Sequence, residues 1–391
     1  MNNPEPVSRA PVKLEKFRDL TLARCAGQLL AFACDSSGSV GGLPEDEVQT
    51  GAYQSGIFMV KVPLMEILAS GAVPVAVYAD FCYGPSAYND EVLHGIRDEL
   101  ASVGVDPSII IKTYGTGKEP RCSATGATVV GQAGPGGLQV AVSRPGDRVY
   151  TIGRPHDKDR AEGQLNNAAI KKLRDCPFIH EILPCGSHGF RYEANTLARS
   201  CGLQFEEKGD YPLLAQAEAT CGACACAVFT LAQEDEKWLQ NLDLPFFLCC
   251  IGTLKQGKPS SPPAPPERFS PVLLQPDGSL RFRQGGSIVS GAALSYGVGI
   301  RPGDTRPCPT QALSLRLLDA VRAAQPKAAP FLLINNLNLP MRTQGQETIE
   351  ILRPALRQMG VDPDTGFTGS TEDNHPSAWT GMALRLFGWK E

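Results

Sequence analysis

The six residues Gly369-Ser370-Thr371-Glu372-Asp373-Asn374 crowd two carboxylates, an amide and two hydroxyls behind the strand-like Gly366–Thr368. Hard oxygen donors at this density suit a divalent cation that bridges nucleotide phosphates. A solvated acidic turn is the competing reading. Asp35 makes a second such point. It follows the apolar run Leu29–Cys34 and opens the small-residue loop Ser36-Ser37-Gly38-Ser39-Val40-Gly41. A carboxylate there can hold Mg²⁺ while the backbone N–H groups of Ser36, Ser37 and Gly38 approach phosphate. An Asx turn that merely ends a strand is the alternative. Gly115-Thr116-Gly117-Lys118-Glu119-Pro120 is a third loop of small residues, and its Lys118 could meet phosphate as a point charge.

Other chemistry-bearing residues have weaker settings. His180 and His188 flank a glycine turn. His180 could act as a general base or contact a substrate, and His188 could cap the turn. His375 adjoins the acidic loop. Glu193 and Asn195 fall in the first turn of an expected helix, where capping and dipole compensation suffice to explain them. Asp80 ends a strand and is expected to face the same cleft as Asp35. Cys221, Cys224 and Cys226, with Cys249-Cys250, could ligate zinc or an iron–sulfur cluster. Alternating Cys224 and Cys226 also read as small apolar fillers on one strand face.

The elements that carry these residues are written twice. From Asp90 and again from Gln346, a helix-period run leads to Gly-Val-Asp-Pro, then a short strand, a polar turn, Thr-Gly and a closing apolar strand. The two tetrads begin at Gly104 and Gly360, too far apart for a solenoid. The pattern predicts a duplicated unit with other structure between the copies. Upstream of the first tetrad, Gln54–Ser70 has helical spacing interrupted by Pro63, and Val75–Phe81 is a strand. The order β-α-β-α-β-β predicts helices on one face of a sheet. Around the second tetrad, Pro309–Ala324 and Phe331–Asn336 replace the first helix and second strand, and Leu294 stands near the position of Asp35. Copy one thus keeps Asp35 without an acidic loop, and copy two the acidic loop without the aspartate. Paired across a pseudo-twofold, they could complete one site. The expected divisions are a flexible tail (1–14), copy one (15–143), a middle α/β unit (144–255), a Pro-rich linker (256–269) stiff in the polyproline manner, and copy two (270–391).

The chain has 391 residues, a net charge of −4, 13 Cys, 40 Gly and 32 Pro. It shows no basic-aromatic face, so nucleic acid is not an expected partner. No apolar run approaches a membrane span. With no secretory signal at the start, the thiols are read as reduced and the protein as cytoplasmic.

These residues resemble the aminoimidazole ribonucleotide (AIR) synthetase superfamily, the PurM-like fold. Its members include thiamine-monophosphate kinase, selenophosphate synthetase and the hydrogenase-maturation dehydratase. Asp35-Ser36-Ser37-Gly38-Ser39-Val40 is similar to the family's Asp-Gly-Val-Gly-Thr-Lys loop. Met65–Pro74 is similar to its Asn-Asp…Gly-Ala-x-Pro helix end, with Glu66 in the acidic slot, and Gly369–Glu372 to its Gly-Gly-Asp-Thr loop. Pro145-Gly146-Asp147 and His180–Phe190 resemble its C-terminal-domain motifs in degenerate form. The acidic loop is similar to that of an alpha-ribazole kinase-like group. The resemblance implies an α/β (α+β) fold, with two ferredoxin-like N-terminal-type domains forming a pseudo-dimer around a sheet or barrel, plus one α/β C-terminal-type domain. It implies ATP and Mg²⁺ as cofactors. Asp35, Glu66, Glu372 and Asp373 would hold metal, and Ser36, Ser37, Gly38, Gly115, Thr116, Lys118, Gly369, Ser370, Thr371 and Asn374 would hold nucleotide. His180 and Asp35 would serve catalysis on a small-molecule phosphoryl acceptor. The chain departs from the family in lacking a lysine after the first glycine loop and an acidic loop in copy one. A non-catalytic or regulatory nucleotide binder is therefore the alternative.

Overall fold

The computed structural model describes residues 12–116, 119–155, 164–258, 261–298, 309–326, 328–338, 345–361, 368–370 and 379–391. Copy one contains β1 (Lys13–Phe17), β2 (Leu20–Cys25), β3 (Gln28–Gly38), β4 (Val40–Gly41), β5 (Val48–Gln49), α1 (Ala52–Ala69), β6 (Val73–Phe81), α2 (Ala87–Ser102), β7 (Ile110–Tyr114) and β8 (Ala124–Gln132). The middle unit contains β9 (Arg148–Gly153), α3 (Asn167–Arg174), β10 (Ile179–Pro184), α4 (Gly189–Ser200), β11 (Gln204–Glu207), β12 (Cys226–Leu231), α5 (Glu236–Leu239) and β13 (Leu248–Lys255). Copy two contains β14 (Leu273–Leu274), β15 (Leu280–Arg281), β16 (Ser287–Val298), α6 (Pro309–Ala324), β17 (Ala329–Asn338), α7 (Gln346–Gln358), β18 (Thr368–Ser370) and β19 (Trp379–Lys390).

The duplication is exact in topology. Copy one forms a sheet in the order β1-β2-β3-β8-β6-β7, and copy two one in the order β14-β15-β16-β19-β17-β18. The repeated tetrad has one physical job in both. Gly104 (φ +73°) and Gly360 (φ +74°) take the left-handed conformation just past a helix end. The N–H of Val105 then returns to Leu100 O at 3.0 Å, and that of Val361 to Leu356 O at 2.9 Å. This is the Schellman closure, in which glycine avoids the Cβ penalty and the next apolar residue packs back on the helix.

The pleat decides which residues meet. Leu30, Phe32, Cys34, Tyr78 and Val130 of copy one pack in a single cluster with Leu332, Ile334 and Phe387 of copy two. The two sheets therefore lie face to face, with β17 and β18 against β3. Phe387 makes edge contacts with Phe32 at 4.9 Å and Tyr78 at 5.4 Å. The alternate residues, among them Ala31, Ala33, Ala127 and Val129, turn to the helices. Across the twin face a buried ion pair joins Arg385 on β19 to Asp80 on β6, with Thr113 Oγ1 accepting a further bond at 2.9 Å.

Helix α1 continues through Pro63, contrary to the interruption expected from sequence. It is wedged between its own sheet, α2 and the middle unit's α3 and β10, and tertiary packing offsets the lost backbone bond. Glycines set the spacing of α1 and α2. A Cβ on Gly56 would lie 2.0 Å from Val92 O, and one on Gly95 2.0 Å from Tyr53 O. Gly56→Ala is expected to destabilise by about 1–3 kcal/mol, outweighing the roughly 1 kcal/mol of helix propensity alanine adds. Urea unfolding of the variant checks this.

The middle unit is an antiparallel sheet in the order β10-β12-β9-β13-β11. The segment leading into copy two is tied to the β2–β3 turn. Glu267 N–H donates to Gly27 O at 3.0 Å, and Gln28 Nε2 to Arg268 O at 2.5 Å.

Candidate functional site

Register fixes where the sequence-selected residues point. Asp35 pairs with Ala127, and Ala127 with Ala79. Asp35 thus shares the helix-side face with Ala33 and Ala79. Asp80 aligns with Gly126 and Ser36 on the opposite, twin-facing side. The expectation that Asp80 shares the cleft of Asp35 is corrected by this parity, and Arg385 claims its carboxylate instead. Ser37 follows Asp35, while Ser36 and Gly38 face the twin. Aligning Thr125-Gly126 with Thr380-Gly381 gives the counterpart of Asp35 in copy two. Asp35 pairs two residues past the first threonine, and Ser295 pairs with Met382, two past the second. Ser295, not Leu294, therefore occupies the Asp35 position, and Tyr296 that of Ser36. A one-residue slip exchanges faces.

The two pseudo-equivalent junctions differ. On one side β18 lies against β3, so Gly369 and Ser370 lead into the acidic loop beside the strand that carries Asp35. Lys118, Thr371, Glu372, Asp373, Asn374 and His375 lie outside the described residues. On the other side Tyr296 fills the space. Its hydroxyl accepts N–H bonds from Arg121 and Cys122 at 3.0 Å each and donates to Cys122 O at 3.0 Å. Gly115 is held by packing, since a Cβ there would sit 2.2 Å from Cys82 O. Thr116 is exposed.

The loop after Asp35 is built around a residue the sequence did not single out. Asp46 is buried. Its carboxylate accepts bonds from Leu43 N at 2.8 Å, Ser123 N at 2.6 Å and Ser123 Oγ at 2.8 Å. Gly41 passes this knot with no room for a side chain.

Asp35 and Glu66 come to one neighbourhood, the junction of copy one with the middle unit. The Cys224 thiol is pushed up by burial and by the carboxylates of Glu66, Asp35 and Asp19, with Lys61 opposing. Glu66 is itself buried and held well above the usual carboxyl range by desolvation, then by Asp19 and Glu193. Burial and Asp19 raise Glu193 to about 8. Asp19 lies exposed at the β1–β2 turn, beside Lys16 and Arg18. Buried Lys61 is lowered by desolvation, and its Nζ donates to Gln164 Oε1 at 3.2 Å. Buried Glu66 and Glu193 thus share this junction with the cationic side chains of Lys16, Arg18 and Lys61.

His180 is braced. Its Nδ1 lies 2.7 Å from Asp147 Oδ2 at the Pro-Gly-Asp turn. His188 stands at the start of α4 with its ring 4.8 Å from Tyr192. Glu193 turns back to accept the Gly186 N–H, and Asn195 Nδ2 bonds Arg191 O at 2.9 Å. Glu181, next to His180, anchors the junction. It accepts from Ala141 N at 2.8 Å, Ser143 Oγ at 2.7 Å and the Arg18 guanidinium. Burial raises its carboxyl, but Arg18 and these donors hold it below the ordinary value. Sequence reading passed over Arg18 and Asp19, took Glu181 only as part of the His180–Phe190 motif, and took Glu193 only as a first-turn residue of a helix. The visible signal was Arg18-Asp19 between two alternating runs, the mark of a hairpin turn.

Among the described residues, no three His, Cys, Asp or Glu side chains converge to hold a metal ion, the Cys221–Cys226 segment included. No described helix is long and apolar enough to cross a membrane. No protein-family model and no curated protein matches the chain. Solved structures do. PurLQS from Thermotoga maritima aligns over 97% of this chain and 76% of its own, at 14% identity and a TM-score of 0.61. T. maritima PurL complexed with ATP aligns over 99% and 75%, at 13% identity and a TM-score of 0.56. The same PurL complexed with AMPPCP aligns over 96% and 74%, at 14% and 0.56. With twin sheets, a middle antiparallel unit and this likeness along nearly its whole length, the chain shares the fold of PurLQS and PurL, the PurM-like fold that its sequence led us to expect.

Proposed function

We propose that the chain binds Mg·ATP at one composite site between β3 of copy one and the loop that follows β18 of copy two, and uses it to phosphorylate or activate an oxygen of a small metabolite. The observation that carries this reading is the contact of β18 with the strand bearing Asp35, supported by the likeness to a PurL complexed with ATP. Asp35, a half-buried carboxylate near the end of β3 that accepts the Ser36 N–H at 2.8 Å, fits a cation ligand. Glu372 and Asp373 are assigned to the same ion, and Ser36, Ser37, Gly38, Gly369, Ser370, Thr371, Asn374 and Lys118 to the phosphates. Glu66, buried on α1 with Glu193 close enough to raise it, is assigned with Glu193 to the acceptor side of the site. Bound Mg·ATP would supply the transferable phosphoryl group and neutralise charge on it. This chain's part is to align the acceptor in the junction with the middle unit and keep water out. His180, braced by Asp147, is assigned to positioning rather than proton transfer.

The second reading is a nucleotide holder without turnover. The exchange of Asp35 for Ser295 and of Ser36 for Tyr296 in copy two favours it, because it shows site erosion within this chain. Thermal melting separates the possibilities. Saturating Mg·ATP at about 100 times its dissociation constant should add roughly 2.7 kcal/mol, and Asp35→Asn should abolish the Mg-dependent part. Stabilisation with no phosphate transfer across a metabolite panel supports the holder. No stabilisation at all overturns both.

A further inference from the structure

The repeat reaches further toward the N-terminus than its strands and helices. The spacing that separates Asp35 from Ser295 also separates Pro11-Val12-Lys13-Leu14 from Pro271-Val272-Leu273-Leu274. Val12, Leu14, Val272 and Leu274 all pack in the cluster between the twin sheets. By the same spacing, residues 4–10 are the counterparts of residues 264–270. Residues 1–11, expected from sequence within a flexible tail, lie outside the described residues.

The described counterpart shows where such a segment goes. Residues 264–270 precede copy two but run across the end of the copy-one sheet. On its helix side the Arg24 guanidinium donates to the carbonyls of Ala264 and Pro265, and Pro266 is buried. At the tip, Glu267 N–H donates to Gly27 O at 3.0 Å. On the twin side, Gln28 Oε1 accepts the Ser270 N–H at 3.2 Å and Gln132 Nε2 donates to Ser270 O at 2.8 Å. A proline-rich strand suits this seat, because it brings free carbonyls and few donors.

The pseudo-twofold puts the matching seat on copy two, where Ser287 stands for Gly27. There the structure has an open cleft of about 1110 Å³ lined by Leu273, Arg281, Arg283, Ser287, Val289 and Lys390. Leu273, Arg281, Ser287 and Lys390 form one row across four strands. Their neighbours Leu274, Leu280, Ile288 and Trp389 face the twin, so the row lies on the outer side, as Arg24 does in copy one. Arg281 and Arg283 have no hydrogen-bond or ion-pair partner among the described residues. The carboxylates at the rim are Glu391 and Asp277, and Asp277 already accepts from Ser279 N at 2.9 Å and Ser279 Oγ at 2.6 Å. Phe282 lines the cleft and shares the twin cluster with Val12. The chain outside the described residues therefore starts at the cleft wall.

We infer that residues 4–10 seat in this cleft as 264–270 seat on copy one, so that the leading segment of each copy clamps the other. Pro4 and Pro6 supply extended backbone and free carbonyls, and Glu5 the negative charge for Arg281 and Arg283. Seven residues in polyproline form span roughly 22 Å, enough to cross the ends of four strands about 4.8 Å apart. The two seats differ in one respect. By register Gln28 and Gln132 are replaced by Ile288 and Phe387, so the hold on the segment falls to the arginines.

The test puts p-benzoylphenylalanine in place of Val7 in the full-length chain, irradiates it and maps the cross-linked peptides. The expected product is an intramolecular link to residues 273–289 or to Lys390. Trypsin on the chain without the photoprobe gives a second reading. Arg9 should be cut several-fold more slowly than in the Arg281→Ala/Arg283→Ala variant. Both arginines are exposed, so their loss leaves the fold in place. A link elsewhere in the chain, a link to the cleft of a second copy, no link, or equal cleavage of the two proteins overturns the inference.

Discussion

Arg385→Met is expected to lower the stability of the chain by about 3–5 kcal/mol, because it leaves the Asp80 carboxylate buried and uncompensated. Asp80 and Arg385 are 0% and 3% exposed and lie 305 residues apart. Burial raises the Asp80 carboxyl, while Arg385 and Thr113 pull it down. Removing the guanidinium removes the larger of those opposing influences. The double variant Asp80→Leu/Arg385→Met should recover most of the loss, since a buried pair replaced by apolar groups is often neutral. Chemical denaturation of the three variants forms the cycle. The pair also enforces asymmetry. By the strand registers its mirror positions are Asn338 and Val130, so it forms on one side of the pseudo-twofold.

The second large effect concerns pH. Glu66 and Glu193 are both raised in the folded chain. Between the ordinary carboxyl range and the folded value, the native state binds more protons than the unfolded one. Stability therefore falls as pH rises, by up to about 1.4 kcal/mol per pH unit for each such group. For Glu193 the decline runs from about pH 4.5 to about 8 and then levels. Glu181, lowered by Arg18 and its donors against the cost of burial, acts the other way. Its contribution is complete above the ordinary carboxyl value and is lost on acidification below it. Glu193→Gln keeps an oxygen for the Gly186 N–H and cannot ionise. It should raise the melting temperature at pH 8, have little effect at pH 5, and flatten the curve between. An unchanged slope would show that Glu193 does not carry the linkage.

The duplication was legible because its marker is local. Gly-Val-Asp-Pro ends a helix by a backbone rule that neighbouring sequence alone enforces, and both copies obey it with nearly the same φ. The strand holding Asp35 was legible for the same reason, as an apolar run stopped by a polar loop. Faces were not. Placing Leu294 opposite Asp35 missed by one residue, and in a pleated sheet that error exchanges the helix side for the twin side. Asp80 looked like a cleft residue because its partner lies at the far end of the chain. Arg18 was hidden by brevity, since the β1–β2 hairpin is short and its charged turn reads as surface until Arg18 reaches Glu181 and Ser200 of the middle unit. The spacing of Cys221, Cys224 and Cys226 suggested metal, and only the fold of β10 against β12 shows Cys221 and Cys226 buried with Cys185 in one apolar cluster.

The composite site is tested most directly by a crystal structure of the chain with AMPPCP and Mn²⁺ in place of Mg²⁺, using manganese anomalous scattering to locate the ion. The expected result is manganese at Asp35, with the triphosphate between β3 and the residues after Ser370. Nucleotide bound instead at the Tyr296 side, or within the middle unit, would contradict the assignment.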